Sequence, residues 1–411
     1  MLNIYFYIIF ITLIAGFLLD IIADVLNLKW LGKPMPEEFI GYYPEDKYLN
    51  SMNYTKTLTY FGFITSSFDL AIMLVFWFSG GFSWLNSIVI SVSENYLIRG
   101  ILFIGILSAA NSILSLPFGI YSTFVIEEKY GFNKTTIKTY IFDILKSAAL
   151  TLILGVPLIA LVLYILQESG NFAWLYGWGS VTIIGLIIQY IAPRWIMPLF
   201  NKFTPMEDSE LKNAIMEYVI KVDFRLKDVY IMDGSKRSSK SNAFFTGFGK
   251  NKRIALYDTL IEKHSVSELV AILAHEIGHY KHKHIQTAMV LSFFHTGLVF
   301  YILSIFLKEQ GLYEAFFVSD TPIYAGLLFF GMLYSPIETF LSLFFNHISR
   351  KNELTADKYA VTSTSDKESF ILALKKLSVN NLSNLTPHPF LVFLTYSHPT
   401  LLYRISKIKE I

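Results

Sequence analysis

Cysteine is absent from all 411 residues, and that absence removes disulfides, thiolate metal ligands, haem attachment and thiol nucleophiles together. A metal held by this chain must be held by His, Asp or Glu. Charge is also scarce: Asp, Glu, Lys and Arg make up 16% of the residues against 53% hydrophobic ones. A net charge of +2, with no basic stretch interleaved with aromatics, leaves no nucleic-acid partner to expect. No Lys or Arg precedes Lys29, so the apolar N-terminal run lacks the basic flank of a cleaved leader and reads as a retained membrane span. The C-terminal Lys407-Ile408-Lys409-Glu410-Ile411 carries neither a prenylation cysteine nor an ER retention signal. Internal repeats and low-complexity tracts are missing as well.

What the chain has in abundance is apolar length. A membrane-crossing helix needs about 20 apolar residues at a rise of about 1.5 Å each. Seven blocks qualify, near residues 3–28, 57–80, 100–121, 147–167, 173–195, 285–307 and 323–347, and the stretch 80–98 has the least defined edges. Loop charge orients them, because Lys and Arg stay on the cytoplasmic side. The short loops 29–56 and 122–146 hold 8 such residues, and the opposite side holds only Arg99 and Lys308. An integral, multi-pass protein is expected, with the polar segments 196–284 and 348–411 and the C-terminus facing the cytoplasm. Two spans separate those segments, so both emerge on one side and can build one composite site.

In the first polar segment, Leu211–Val222 reads as an amphipathic helix and Asp228–Met232 as a strand. Asn242–Phe248 and Arg253–Tyr257 read as a hairpin about the turn Gly249-Lys250-Asn251-Lys252. A sheet edge there can bind an extended peptide by strand addition, or can simply pack.

The segment ends in His275-Glu276-Ile277-Gly278-His279, preceded by an apolar run with helical spacing. Two histidines four apart share one helical face, so both imidazoles can reach one ion. Zinc accepts neutral nitrogen donors and keeps a position for water, and Glu276 lies beside the ion as the base for that water. The expected cofactor is one Zn2+ per chain. A third ligand must come from elsewhere. His282 is a poor candidate, because seven residues of helix separate it from His275 by about 10.5 Å. Glu353 and Asp357 sit four apart on a helix just beyond the seventh span. That pair suits a ligand plus a carboxylate that orients a ligating imidazole, although alone the segment also reads as an ordinary solvated face.

These features bring the chain close to a known family. His275-Glu276-Ile277-Gly278-His279, Glu353 with Asp357, and Ser397-His398-Pro399-Thr400 followed by Arg404 resemble the type I CaaX prenyl proteases, seven-span membrane zinc metalloproteases. Leu116-Pro117-Phe118, Glu127–Lys134 and Ser241–Gly249 also match, so the resemblance covers nearly the whole chain. It implies Glu353 as third zinc ligand, Glu276 as general base and then acid, and Asp357 as orienter behind a ligand. It implies His398 as donor to the oxyanion, Arg404 as a brace at the catalytic site, and Asn242, Ala243 and Phe244 as the substrate strand. His388-Pro389 is a second His-Pro pair, and only the flanking Thr400 and Arg404 select His398. The resemblance further implies a large water-filled chamber enclosed by the spans. Asp20, Asp69, Asn111, His295 and Glu338 fall within spans, where such groups should face protein or water.

The expected fold class is a predominantly α membrane protein with seven transmembrane helices and a small α+β zinc metalloprotease domain containing a β-hairpin. Residues 1–195 supply spans 1–5 with their loops, 196–284 and 348–411 the two parts of the zinc domain, and 285–347 spans 6 and 7. The expected partners are the lipid bilayer and a peptide or protein substrate, which the resemblance implies is a prenylated CaaX protein losing its C-terminal tripeptide. Two other readings remain at this point: a general quality-control endopeptidase for membrane proteins, and a membrane transporter with a regulatory metal site.

Overall fold

The computed structural model describes residues 3–246 and 253–411. Among them, seven helices are long and apolar enough to cross a membrane. The first five, with one short apolar helix, are α1 (Ile4–Trp30), α2 (Glu45–Phe78), the short α3 (Gly81–Val92), α4 (Tyr96–Glu127), α5 (Ile137–Glu168) and α6 (Gly170–Leu199). A polar stretch follows, with β1 (Phe203–Pro205), α7 (Glu210–Lys221), β2 (Asp228–Met232), β3 (Ala243–Thr246), β4 (Arg253–Tyr257) and α8 (Val266–Lys281). The last two spans are α9 (His284–Phe306) and α10 (Ile323–Thr364), and the chain closes with α11 (Lys367–Asn380), α12 (Pro389–Thr395) and α13 (Leu401–Lys409).

Local chemistry explains where these elements start and bend. Asn3 caps α1 by accepting from the backbone of Phe6 at 3.1 Å, and Ser265 forms a full capping box with Glu268 at α8. Glu268 is buried and also holds Lys376 of α11 at 2.6 Å, so one cap ties two helices of the polar region. Pro117 lies inside α4, and the last turns of that helix, Ser122–Glu127, widen to π geometry.

The four strands form one sheet in the order β1-β2-β4-β3. β2 and β4 run parallel, with Tyr230 opposite Ala255, and β3 is antiparallel to β4, with Ala243 opposite Leu256. The expected hairpin is therefore present, while its turn, Gly249–Lys252, lies outside the described residues. β3 is an edge strand.

Two large packed cores hold most of the molecule, beside a small cluster of Tyr54, Ile126 and Phe132. One joins α7, the sheet, α8, α11 and α13, through Ile215, Val229, Leu256, Leu273, Phe370 and Ile405. The segments before and after the last two spans thus share a single core. The second core gathers Trp77, Phe82, Phe103, Leu163, Phe316 and Phe329 at the other end of the bundle, where Phe316 and Phe329 stack at 3.9 Å. Between these ends the spans are loosely covered: only 6% of the most apolar stretch of α2, α4 and α6 is buried. The spans also overrun their expected limits. α2 begins at Glu45, ahead of residue 57, and α10 continues unbroken past residue 347 to carry Glu353 and Asp357. The ligand candidates sit on the extension of a membrane helix, not on a separate one.

Candidate metal centre

Helix α8 and the extension of α10 lie against each other, and Gly278 lets them. A Cβ at Gly278 would sit 3.1 Å from both the Cα and the carbonyl oxygen of Ala356, and 3.2 Å from Cβ of Tyr359. Glycine inside a helix costs about 1 kcal/mol relative to alanine, and here that cost goes with backbone contact between the two helices. The approach places His275 and His279 opposite Glu353.

One donor atom from each of His275, His279 and Glu353 lies within 4.8 Å of the others. His275 Nε2 is 3.4 Å from Glu353 Oε2, His279 Nε2 is 3.2 Å from Glu353 Oε1, and the two imidazole Nε2 atoms are 3.2 Å apart. Glu353 Oε2 is buried without a hydrogen-bond donor. Two ring nitrogens and a carboxylate converging in this way are acceptors in need of a cation. The residues present therefore fit a metal bound by two neutral nitrogens and one oxygen.

The atoms behind the three donors fix their orientation. Asp357 Oδ1 lies 2.9 Å from His275 Nδ1, which keeps the proton on that nitrogen and turns Nε2 toward Glu353. Phe370 backs the same imidazole, with ring centroids 5.8 Å apart. Asp357 is itself held by Arg404, which donates Nε to Oδ2 at 2.8 Å and Nη2 to Oδ1 at 2.6 Å. Arg404 Nη1 lies 3.6 Å from Glu353 Oε2. Burial, the largest influence on His275, disfavours its charged form, but Asp357 and Glu353 outweigh it and push the metal-free imidazole up to about 9.

The other expected residues gather here as well. Glu276 is half-buried between the two imidazole positions on α8. His398 is exposed, with Nε2 3.4 Å from Glu353 Oε1 and Nδ1 2.9 Å from Ser397 Oγ. His388 serves elsewhere: its Nδ1 accepts from the backbone of Phe390 and caps α12. Asn242, Ala243 and Phe244 lead into edge strand β3, where Ala243 and Phe245 pack on the shared core and Phe244 turns to the other face.

Three contributions escape a reading of the sequence. Gly278 is one, although a glycine within an otherwise strong helix is a visible signal. His284 is the second: Lys283 takes a left-handed φ of 59° between α8 and α9, which brings His284 Nδ1 to 3.0 Å from His279 Nδ1. That contact fixes the second imidazole as Asp357 fixes the first. Third, Lys240, two residues before Asn242, donates to Tyr54 at 2.8 Å and pairs with Glu127 at 2.9 Å. The backbone of Ser239 also bonds to Phe132 and that of Lys134 to Arg237. The Glu127–Lys134 block thus clamps the chain where it enters β3. Of the polar residues within spans, His295 pairs with Glu338 at 3.2 Å, while Asp20, Asp69 and Asn111 are exposed.

Known proteins resemble this chain over nearly its whole length. Residues 24–202 match the family model of the CAAX prenyl protease N-terminal region with five membrane helices, and residues 205–411 match peptidase family M48. The probable CAAX prenyl protease 1 of Schizosaccharomyces pombe is 34% identical, over 96% of this chain and 87% of that protein. The CAAX prenyl protease 1 homolog of Arabidopsis thaliana is also 34% identical, over 96% of this chain and 95% of that protein. The crystal structure of S. mikatae Ste24p superposes with a TM-score of 0.93 at 32% identity, covering 99% of both chains.

Proposed function

The chain belongs to the CAAX prenyl proteases of peptidase family M48 and is a multi-pass membrane metalloendopeptidase; from that premise we propose that it removes the C-terminal tripeptide of prenylated CaaX proteins, using one zinc ion held by His275, His279 and Glu353. The observation that carries the chemistry is the convergence of those three donors beside a sheet edge. That edge, β3, can pair with an extended peptide through Asn242, Ala243 and Phe244. His275, His279 and Glu353 would hold the zinc, which would supply polarisation of the scissile carbonyl and a water whose pKa falls to about 7.

The protein's own groups do the remaining work in this reading. Glu276 accepts the proton of the attacking water and returns it to the leaving nitrogen. His398 donates a hydrogen bond to the oxygen that gains charge in the tetrahedral intermediate. Asp357 holds the tautomer of His275, and Arg404 acts through Asp357, so we assign Arg404 a positioning role and not a catalytic one. The zinc domain, built from 196–284 and 348–411, faces the cytoplasm by the distribution of Lys and Arg. The spans packed at one end and open between support a water-filled interior in which that edge meets its substrate.

Incubating the purified chain with a farnesylated CaaX peptide and its unprenylated twin tests the substrate. Release of the tripeptide from the farnesylated peptide alone, or far faster from it, is the expected result. Equal cleavage of both would instead favour a general endopeptidase, whose recognition rests on the sequence-tolerant backbone pairing at β3.

A further inference from the structure

The sheet has a second face, and it is not idle. Ala243 and Phe245 pack on the core beneath α8, while the alternate residue, Phe244, lines a cavity of about 520 Å³ on the opposite side. The far wall of that cavity is the end of span α6, from Pro193 to Leu199, with Phe200 just beyond it. Four cations line it: Arg194, Lys202, Lys236 and Arg253. A fifth, Lys146, donates to the carbonyl of Leu199, which also lines the cavity, and sits 5.7 Å from the ring of Phe200. The single carboxylate in the lining, Asp233, is already engaged, since Oδ1 accepts from the Lys202 backbone at 2.7 Å and from Asn201 at 3.2 Å. None of the four lining cations has a carboxylate within ion-pair distance among the described residues. Arg253 Nε is buried with no acceptor at all.

The guanidinium of Arg253 lies 5.0 Å from the ring of Tyr230 and that of Arg194 5.6 Å from the ring of Tyr190, so aromatic faces cover both, yet a buried donor left without an acceptor, as Arg253 Nε is, remains rare in folded proteins. A cavity that concentrates positive charge around such a donor is built for an anion. Beside Asn201 and Tyr230, its remaining walls are largely apolar, with Met197, Phe200, Phe203 and Phe244 among them, so the anion should carry apolar substance with it. The location narrows the choice further. The cavity opens where α6 leaves the membrane, beside Tyr190 and Trp195, which are 49% and 72% exposed and have the character of an interfacial aromatic belt. Lipid headgroups lie at that level. We propose that this cavity binds the phosphate headgroup of an anionic phospholipid, with Arg253 and Arg194 on the phosphate and the aromatic wall against the glycerol and first acyl carbons. The bound lipid fixes the outer face of the sheet, and hence strand β3, at a set height above the bilayer. Nothing in this inference depends on which peptide is cut.

Native mass spectrometry of the full chain, released from detergent with added phosphatidylglycerol or phosphatidylcholine, reads the site directly. The wild type should retain one phosphatidylglycerol in preference to phosphatidylcholine. Arg194→Gln with Arg253→Gln should weaken phosphatidylglycerol binding about thirtyfold. Lys202→Gln with Lys236→Gln, both exposed and safe for folding, should act in the same direction, while Lys407→Gln, outside the cavity, should change nothing. Metal content serves as the folding check on each variant. Equal retention of the two lipids, or unchanged phosphatidylglycerol binding in both double variants, would overturn the site. Displacement of the lipid by an equal concentration of inorganic phosphate would overturn the lipid assignment in favour of a soluble anion.

Discussion

At the scale of single residues, the proposed reaction divides the site into groups that would bind the metal, one that would move a proton, and groups that would hold the others still. Glu276 is half-buried on α8 and lies in sequence between His275 and His279. Its replacement by Gln should leave metal content at wild-type level and lower turnover by at least about a thousandfold, measured by metal analysis and peptide hydrolysis on the same sample. Arg404 is different, because it reaches the site only through Asp357 and Glu353. Arg404→Met strips a buried carboxylate of its partner, a change that costs about 3–5 kcal/mol of stability and should weaken metal binding about 10- to 100-fold. Thermal denaturation and metal titration separate the two effects.

His275 gives a pH dependence whose direction is fixed. In the metal-free protein its imidazole is raised from 6.5 to about 9. A raised pKa means that its contribution to stability is fully present below pH 6.5 and is lost as the pH rises through about 9. The Tm of metal-stripped protein should therefore fall across that window, and His275→Asn should flatten the fall. Because the metal must displace this proton, its affinity should weaken as the pH drops below about 9. The residues of the motif were legible in the sequence because helix periodicity alone places His275, Glu276 and His279. His398 and Arg404 were legible only by resemblance, since their contacts depend on how α10 and the C-terminal tail fold back on α8.

At the scale of elements, the decisive contact is between α8 and α10. Any side chain at Gly278 meets the backbone of Ala356, which cannot rotate away. Gly278→Leu should part the helices and abolish metal binding, and Gly278→Ala should retain binding with reduced affinity; equal affinity in both variants and the wild type would show that the close approach is not required. The helices and strands expected from the sequence are present, including strands β3 and β4 of the hairpin, because each has its own period. The sequence does not reveal β1, which is three residues long, nor the parallel pairing of β2 with β4, which no local pattern encodes. The Glu127–Lys134 clamp shows the same limit: Lys240 looks like any surface lysine until Tyr54 and Glu127 are brought to it. If that clamp positions the substrate strand, Lys240→Met should raise KM for a peptide about tenfold with metal content unchanged. A loss confined to kcat would contradict it.

At the scale of the whole molecule, the apolar blocks of the sequence indicate seven spans, and seven helices of sufficient length and hydropathy are present among the described residues. Their ends were less legible, because α2 and α10 continue into the polar region as uninterrupted helices, and nothing in an apolar count marks where a helix goes on after the membrane stops. The continuity of α10 matters for function, since it carries Glu353 and Asp357 rigidly from the bilayer to the site. Orientation is open to a clean test, as the chain has no native cysteine to interfere. A single cysteine at Glu410 should react with an impermeant maleimide in inside-out vesicles and stay unlabelled in right-side-out ones; the reverse pattern would place the zinc domain on the other side.

The most direct measurement combines metal stoichiometry with hydrolysis of a farnesylated CaaX peptide for the wild type, Glu276→Gln and His279→Ala. The expected outcome is one zinc and cleavage in the wild type, one zinc without cleavage in Glu276→Gln, and neither in His279→Ala. Cleavage retained by Glu276→Gln, or a folded wild-type protein that binds no zinc, would contradict the assignment of this site as the proteolytic centre.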